Sequence, residues 1–365
     1  MSHFIFSADG HVVEPNDLFL RGLPEGLRKW ALHAEMGEDF IGTKIGDRFV
    51  HRTRRSSNPD SDLGQKRQGP RDLDLRLKDL ALDGVDAEIC FPSLALFGYG
   101  VENPEAELGT AQIYNDWCHK MFTGRRDVFV PCGVLPVRDF DNTVAELKRA
   151  AAMGYTAAML PTTVPAGVPA YNQEVWDPVF HLAGELGIVL IFHTGTGLES
   201  VIIERGPGGA VINYTHQMND GARTVMQLVA GGVLDRNPRA RIAVIEAGAS
   251  WLAAVAERMD EVYHGHRWFV KPKLSLLPSE IVRRQVHCSF QHDRACIMSR
   301  SVTGHQALLW GADSPHMEGT FPHSREVIGG LFEGIDISEQ EKADILGGTA
   351  ARLFRLQRPE FTRAA

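Results

Sequence analysis

Short apolar runs alternate with segments of helical periodicity along almost the whole chain, and this alternation limits the fold more than any other feature. Each run is rich in β-branched and other apolar residues, and the segment after it repeats its apolar residues every three or four positions. Strands that alternate with helices in this way form parallel sheets. Eight runs are predicted to be strands: 4–8, 87–92, 128–135, 156–160, 188–192, 242–245, 286–290 and 307–310.

Helices are predicted between these strands and after the last one. The final helix is expected to begin at a capping box formed by Ser338 and Glu341. The predicted helical segments are 73–82, 106–122, 144–153, 175–186, 221–234, 251–263, 294–301, 324–332 and 338–354.

Eight strands with helices between them can form a closed (β/α)8 barrel or an open doubly wound sheet. In a barrel, polar functional residues follow several different strands, and here Asp9, His193 and Asp313 each follow a predicted strand. No Gly-x-Gly-x-x-Gly follows the first strand, as a dinucleotide-binding sheet would require. We therefore predict a single (β/α)8 TIM barrel over residues 1–365, with extra C-terminal helices.

One long stretch does not fit the repeat. Residues from about 16 to 69 form an insertion after the first strand, and its second half carries a basic, polar tract. Insertions of this length are often lids or binding loops. We expect a lid-like insertion, and an arginine in or just after it that binds a substrate carboxylate through its two-pronged guanidinium. The candidates are Arg52, Arg54, Arg55, Arg67 and Arg71.

The polar residues after the strands also suggest a metal site. Asp9 and His11 are two positions apart, so at the extended end of a strand both side chains point to one side. With His193 and Asp313 they provide oxygen and nitrogen donors that suit zinc, manganese or iron(II). Glu246 follows the sixth strand and could act on a substrate, orient a ligand or cap the next helix.

Each of these residues also has a simpler interpretation. His193 could be a core histidine that donates to a backbone carbonyl, and Asp313 could serve only to open a turn. Glu14 could be a ligand or a packing residue, and His316 could either line the site or lie in a surface loop. The functional interpretations require these side chains to converge at one site, whereas the simpler ones do not.

The chain resembles the amidohydrolase superfamily, in particular the amidohydrolase-related branch that includes aminocarboxymuconate semialdehyde decarboxylase. The resemblance implies a barrel with one divalent ion held by Asp9, His11, His193 and Asp313. The matching segments are Ala-Asp-Gly-His at 8–11, Glu-Pro at 14–15, Phe-His-Thr-Gly at 192–195, Val-Ile-Glu-Ala-Gly at 244–248 with Trp251, and Trp-Gly-Ala-Asp-Ser-Pro-His at 310–316.

Three departures from the superfamily pattern bear on the site. Relatives often begin with His-x-His or Glu-x-His, where this chain has Asp9. Decarboxylases of the branch usually carry a histidine after strand six, where this chain has Glu246. Binuclear members use a carboxylated lysine after strand four, but no lysine occurs between Lys148 and Lys271. We therefore expect one ion, with zinc the first choice and manganese or iron the alternatives.

Composition excludes several partners and compartments. Lys and Arg number 38 against 46 Asp and Glu, a net charge of −8, which argues against nucleic acid or an anionic membrane as a partner. Five cysteines without a Cys-x-x-Cys indicate a reducing cytoplasm. We find neither a signal peptide nor an apolar stretch long enough to cross a bilayer. Appendages on a barrel often make subunit contacts, so we predict a homodimer.

Function follows from the predicted site and the resemblance together. We expect non-oxidative decarboxylation of a small aromatic or unsaturated carboxylic acid, with Asp313 and Glu246 as catalytic residues and His316 near the substrate. The alternative is metal-dependent hydrolysis of an amide, ester, lactone or carbon–carbon bond, with Asp313 taking a proton from water. A barrel that only binds a ligand is the third hypothesis, and metal analysis distinguishes it from the other two.

Overall fold

Eight parallel strands and the helices between them form the body of the protein. The structure, a computed structural model, describes residues 3–54, 68–196, 203–358 and 361. The strands are β1 Phe6–Ser7, β2 Leu32–Met36, β3 Phe40–Ile45, β4 Arg48–Arg54, β5 Ala87–Cys90, β6 Phe129–Val134, β7 Ala157–Pro161, β8 Val189–His193, β9 Ile242–Ile245, β10 Val286–Phe290 and β11 Leu308–Trp310.

The helices lie between the strands and after the last one. They are α1 Leu18–Gly22, α2 Leu73–Asp83, α3 Pro104–Met121, α4 Phe140–Ala152, α5 Asp177–Leu186, α6 Gly209–Ala230, α7 Val233–Arg236, α8 Ser250–Gly265, α9 Pro278–Gln285, α10 Arg294–Met298, α11 Arg300–Thr303, α12 Ser324–Leu331, α13 Glu339–Ala343 and α14 Thr349–Leu353. Short 3-10 helices span Glu25–Trp30, Ala95–Gly100, Glu174–Trp176 and His305–Ala307, and a π-helical turn spans Asp344–Gly348.

The eight-stranded sheet closes on itself. Its strand order is β1-β5-β6-β7-β8-β9-β10-β11, and every pairing within it is parallel. The first and last strands meet where the Ala8 amide donates to the Trp310 carbonyl at 2.8 Å and where Gly10 pairs with Ser314. The predicted (β/α)8 barrel is thus confirmed, with each predicted strand found within two residues of its expected start and end.

Burial and capping explain why these segments form these elements. All residues of β5, β6 and β7 are buried, as expected for parallel strands covered on both faces. Helix α2 begins at Asp72, whose carboxylate accepts from the Asp74 and Leu75 amides, and it ends at Gly84 in the left-handed conformation. The predicted capping box of Ser338 and Glu341 is present at α13.

The insertion after the first strand contains a small antiparallel sheet, β2-β3-β4. It packs on Ala95–Gly100, where the His51 ring stacks on Phe97 with centroids 5.3 Å apart and Arg48 donates to the Gly100 carbonyl at 3.2 Å. Because Ala95–Gly100 follows the C-terminal end of β5, the small sheet lies on the side of the barrel where parallel strands end. That side is called the barrel mouth below.

Helices α6 and α9 differ most from the sequence prediction, and the short helix α1 in the insertion was not predicted either. Helix α6 begins at Gly209, whereas the apolar periodicity predicted a start at 221, because the first half of the helix is largely exposed. Helix α9 was not predicted, since only two of its eight residues, Ile281 and Val282, are apolar and aliphatic. In α6 the exposed first half leaves no periodic apolar pattern, and in α9 the buried positions have helical spacing but Pro278 and Gln285 occupy two of the four.

The cysteines and the helices agree with two further expectations. All five cysteines are free and buried, so none of them forms a disulfide. Among the described residues, no helix combines the length and the apolar composition that a bilayer crossing requires.

Candidate metal centre

Four of the predicted site residues converge at the barrel mouth. Asp9 and His11 follow β1, and His193 is the last residue of β8. Asp313 comes three residues after the end of β11. Since parallel strands end at one rim of a barrel, residues that are far apart in sequence become neighbours there.

The four side chains are buried and their polar atoms face one another. Asp9 Oδ1 lies 3.6 Å from Nε2 of both His11 and His193. Asp313 Oδ1 lies 3.5 Å from His11 Nε2. Each of the four residues is at most 1% exposed. Two donors placed about 2.1 Å from a tetrahedral ion are about 3.4 Å apart. The ligand atoms of Asp9, His11 and His193, all within 4.8 Å of one another, therefore suit a shared cation, and Asp313 adjoins this group through His11.

Backbone contacts orient both imidazole rings in the same way. His11 Nδ1 lies 2.9 Å from the Pro92 carbonyl oxygen, and His193 Nδ1 lies 2.9 Å from the Thr194 carbonyl oxygen. A carbonyl can only accept, so each Nδ1 carries the proton and each Nε2 presents a lone pair to the centre. Phe91 packs against both rings, with centroid distances of 6.0 Å to His11 and 4.9 Å to His193.

Several buried polar atoms at the centre have no hydrogen-bond partner among the described residues. They include both carboxylate oxygens of Asp9, Nε2 of His11, Nε2 of His193 and Oδ2 of Asp313. A buried carboxylate without a partner costs several kcal/mol. A divalent cation bound by Asp9, His11 and His193 would satisfy the facing atoms of these three residues, and Asp313 lies beside them next to His11, so the residues present fit a metal ion.

The electrostatics of the centre also favour a cation. Burial lowers the pKa of His11 well below its usual value, and the neighbouring His316 and His193 lower it further, so the ring is neutral and able to coordinate. Burial raises the pKa of the Asp313 carboxyl, an effect that His316 partly opposes. The neutral His11 ring therefore offers the lone pair of its Nε2 atom to a cation.

Two residues at the mouth have an unusual backbone conformation. Asp313 has φ of 52° and Glu246 has φ of 63°, in the left-handed region that few non-glycine residues occupy. Such strain persists only where the surrounding structure imposes it, and it concentrates at functional sites. The Asp313 carbonyl accepts from the His316 amide at 2.9 Å, so the predicted turn exists, but its backbone forms it and the carboxylate stays available.

A second group of side chains borders the first. Ligand-type atoms of Glu246, Asp313, His316 and Glu318 lie within 4.8 Å of one another. Burial raises the pKa of Glu246 well above its usual value, and the Asp313 carboxylate adds to this shift. Burial lowers the pKa of His316, but the Asp313 and Glu246 carboxylates outweigh it and raise that pKa to about 10. Glu318 was not predicted, because a glutamate in a loop carries no distinguishing sequence signal.

The structure shows which of the roles considered for Glu14 and Glu246 agree with their contacts. Glu14 accepts hydrogen bonds from the amides of Ser93, Leu94 and Ala95 at 2.9 to 3.1 Å, so its carboxylate fixes the loop after β5. Glu246 does not cap the helix after it, since the amides of Ala249 and Ser250 donate to Asp293. Glu246 Oε2 instead lies 3.6 Å from His193 Nδ1.

The predicted substrate arginines are only partly described. The Arg52 guanidinium is exposed and lies 4.0 Å from the ring centroid of Phe40 on the small sheet. Arg71 is exposed just before α2. The side chain of Arg54, and Arg55 and Arg67 altogether, lie outside the described residues.

The first half of α6 also contributes to the mouth. Tyr214 is 56% exposed, and partial burial raises the pKa of its hydroxyl, with the Glu318, Glu246 and Asp313 carboxylates adding to the shift. Tyr214 therefore lies beside the second group of side chains, which contains Glu246, Asp313 and Glu318. It was missed from the sequence because α6 was expected to begin after it.

Comparison with known proteins identifies the class of this fold and site. The amidohydrolase family model matches residues 9–356, nearly the whole chain. The chain therefore belongs to the amidohydrolase family, as the sequence resemblance implied.

Individual relatives narrow the comparison. The chain is 24% identical over 293 residues to 2-amino-3-carboxymuconate-6-semialdehyde decarboxylase of Dictyostelium discoideum, an alignment that covers 78% of this chain and 77% of the relative. An amidohydrolase from Mycobacterium avium subsp. paratuberculosis superposes with a TM-score of 0.81 at 17% identity, covering 97% of this chain and 98% of its own. A 5-carboxyvanillate decarboxylase from Novosphingobium aromaticivorans, solved with manganese and 4-hydroxy-3-methoxy-5-nitrobenzoic acid, superposes at 0.68 and 17% identity, covering 97% of each chain. At these identities the solved structures establish a shared fold.

Proposed function

We propose that this protein is a metal-dependent decarboxylase that removes CO2, without oxidation, from a small aromatic or unsaturated carboxylic acid. One observation carries the proposal: Asp9, His11, His193 and Asp313 meet at the barrel mouth with buried polar atoms that lack partners. The names of two relatives, both decarboxylases of unsaturated or aromatic acids, supply the reaction class.

The four residues are proposed to hold one divalent ion. When bound, such an ion acts as a Lewis acid that orients a carboxylate and an adjacent oxygen and stabilises the negative charge that develops as CO2 leaves. Zinc is the first choice for a donor set that also suits manganese and iron(II), and manganese is the ion bound in one solved relative. Either ion satisfies the proposal.

Asp313 is proposed to move the proton. In this reaction the bond between the carboxyl carbon and the substrate carbon breaks, CO2 departs, and a proton takes its place on that carbon. Burial raises the pKa of Asp313 above its usual value, a direction that favours proton transfer by this carboxyl. His316 Nδ1 lies 2.9 Å from Asp313 Oδ1 and is placed to return a proton to it between turnovers.

Glu246 and the arginines are proposed to act on the rest of the substrate. Glu246 lies 3.6 Å from His193, belongs to the same group as Asp313, His316 and Glu318, and has a side chain that is 14% exposed, so it can form a hydrogen bond with a substrate hydroxyl. The insertion at about 16–69 is proposed to act as a lid, with at least one arginine of its basic tract binding a second carboxylate. The small sheet on the mouth side supports this role.

Product analysis tests the reaction. Metal-loaded protein is incubated with a panel of aromatic acids that includes 5-carboxyvanillate, in D2O and separately in water enriched in 18O. Decarboxylation gives CO2 and a product with one deuterium at the carbon that lost the carboxylate. Hydrolysis instead gives two fragments with solvent oxygen in one of them, and that result would replace the proposed reaction. A panel without turnover at stoichiometric metal would favour a barrel that only binds.

A homodimer in the cytoplasm completes the proposal. The insertion and the chain beyond Leu353 are additions to a barrel that is already closed, and the five unpaired cysteines suit a reducing compartment. Light scattering at micromolar concentration should give twice the 40.3 kDa chain mass. A monomer mass would contradict the dimer without affecting the proposed reaction.

A further inference from the structure

A buried arginine–glutamate pair lies directly beside the two segments that carry the proposed ligands. Arg76 of α2 and Glu88 of β5 are each 1% exposed. Arg76 Nε and Nη2 donate to the two oxygens of Glu88, both at 2.7 Å, in the two-pronged geometry that only arginine offers.

The guanidinium of Arg76 also donates hydrogen bonds to the segment after β11. Arg76 Nη1 donates to Ser314 Oγ at 3.2 Å, and Nη2 donates to the Ser314 carbonyl at 3.1 Å. Ser314 immediately follows Asp313, whose left-handed backbone conformation must be imposed by its surroundings. Two hydrogen bonds to the next residue are a direct means of imposing it.

The segment after β1 is bound to the same point. The His11 amide donates to the Ser314 carbonyl at 2.8 Å, and the Asp313 amide donates to the Asp9 carbonyl at 3.0 Å. The Ser314 carbonyl therefore accepts from both Arg76 and His11. The arginine thus connects α2, β5 and both ligand-bearing segments in one network.

Gly10 shows how closely the pair approaches the ligands. A Cβ atom at this position would lie 2.7 Å from Glu88 Oε2 and 2.9 Å from Arg76 Nη2, well inside van der Waals contact. The glycine between Asp9 and His11 is therefore required by close approach to the pair.

We infer that Arg76 and Glu88 are positioning residues that fix the separation of Asp313 from the Asp9–His11 segment, and hence the affinity and geometry of the metal site. The inference rests on the proposed metal site. A buried ion pair is a poor source of stability compared with apolar residues of similar size, so its role in this position is better explained by the geometry that it sets. Substitution of a residue that orients a metal ligand typically weakens metal binding about 10- to 100-fold.

The test separates positioning from stability. Arg76→Met alone leaves a buried carboxylate without its partner and should lower the Tm strongly. The double variant Arg76→Met/Glu88→Leu removes both charges, so its Tm should return close to the wild-type value. Its manganese dissociation constant should nevertheless rise about 10- to 100-fold, with an altered electron paramagnetic resonance spectrum of bound Mn2+.

A matched double variant provides the control. Arg236 and Asp177 form a similar two-pronged pair, at 2.6 and 3.1 Å, between helices on the outside of the barrel. Arg236→Met/Asp177→Leu should leave the manganese dissociation constant and spectrum unchanged. Arg76→Lys keeps the positive charge but loses the two-pronged hydrogen bonding of the guanidinium. Compared with Arg76→Met, it should recover more of the Tm than of the manganese affinity.

Gly10→Ala tests the inference even if the double variant fails to fold. The added methyl displaces the pair although no charged side chain is removed, so manganese should again bind more weakly. Gly26→Ala, where a Cβ meets no atom within 4 Å, should have no effect. Wild-type affinity and spectrum in both the double variant and Gly10→Ala would overturn the inference alone. A wild-type protein that binds neither manganese nor zinc would overturn the metal site and this inference together.

Discussion

Asp313→Asn separates proton transfer from metal binding, because it changes the chemistry of one side chain and little else. Asparagine tolerates the left-handed conformation that Asp313 adopts at φ of 52°. The backbone hydrogen bonds of Asp313, to Asp9 at 3.0 Å and from His316 at 2.9 Å, do not involve the carboxylate. The barrel and the turn should therefore survive the substitution.

The expected loss of rate is large and the expected loss of metal is small. An amide cannot exchange a proton as a carboxylate does, and a general acid or base typically contributes about 10² to 10⁴-fold, or about 2.7 to 5.5 kcal/mol of activation free energy. The amide carbonyl can still coordinate an ion weakly. The substitution also removes one of two neighbouring buried carboxylates, so the Tm of metal-free protein should stay the same or rise.

The assay measures metal content, turnover and Tm on one preparation, with Asp9→Asn as the control. Asp9 is proposed to be a ligand only, so in that variant turnover should fall in proportion to bound metal, and restoring the metal should restore the rate. Asp313→Asn should stay slow at full metal occupancy. A normal rate per bound ion in Asp313→Asn would remove Asp313 from the proton step.

Three further results are expected. His11→Ala and His193→Ala should each lose most of the bound metal and keep the fold, since the ring nitrogens face the centre and the barrel has its own core; near-stoichiometric metal by mass spectrometry would refute the ligand assignment. Arg52→Ala or Arg71→Ala should raise KM chiefly for substrates with a second carboxylate, and unchanged KM values in both would leave these side chains without a substrate role. His287 has a pKa lowered to about 4, first by burial, so it is neutral in the folded state while the unfolded chain takes up a proton below about pH 6.5. Stability that is present above pH 6.5 should thus fall by about 3 kcal/mol as the pH drops toward 4, and His287→Gln should flatten this dependence in chemical denaturation.

The barrel could be predicted because its signals are local. The strands are short runs of mostly buried residues such as Ala87–Cys90, and they are separated by helices such as Leu73–Asp83, which has a cap at each end. Polar residues after several different strands then indicated the rim where chemistry would lie. The convergence of Asp9, His11 and Asp313 follows from the parallel topology alone.

The remaining features depend on contacts that leave weak local signals. The small sheet of the insertion has polar, half-exposed strands, although Gly46-Asp47 is a two-residue turn that could have indicated its second hairpin. Arg76 and Glu88 are charged residues on a helix and a strand, and nothing in the sequence distinguishes them from surface residues. Arg76 is hydrogen-bonded to Ser314, which lies 238 positions later, so this contact leaves no local signal.

X-ray diffraction from crystals of metal-loaded protein, collected at the absorption edge of the ion, tests the central claim most directly. The account predicts one strong anomalous peak at the barrel mouth, about 2.0 to 2.3 Å from donor atoms of Asp9, His11, His193 and Asp313. A peak that lies away from these four residues, or no peak from protein that binds stoichiometric metal in solution, would contradict it.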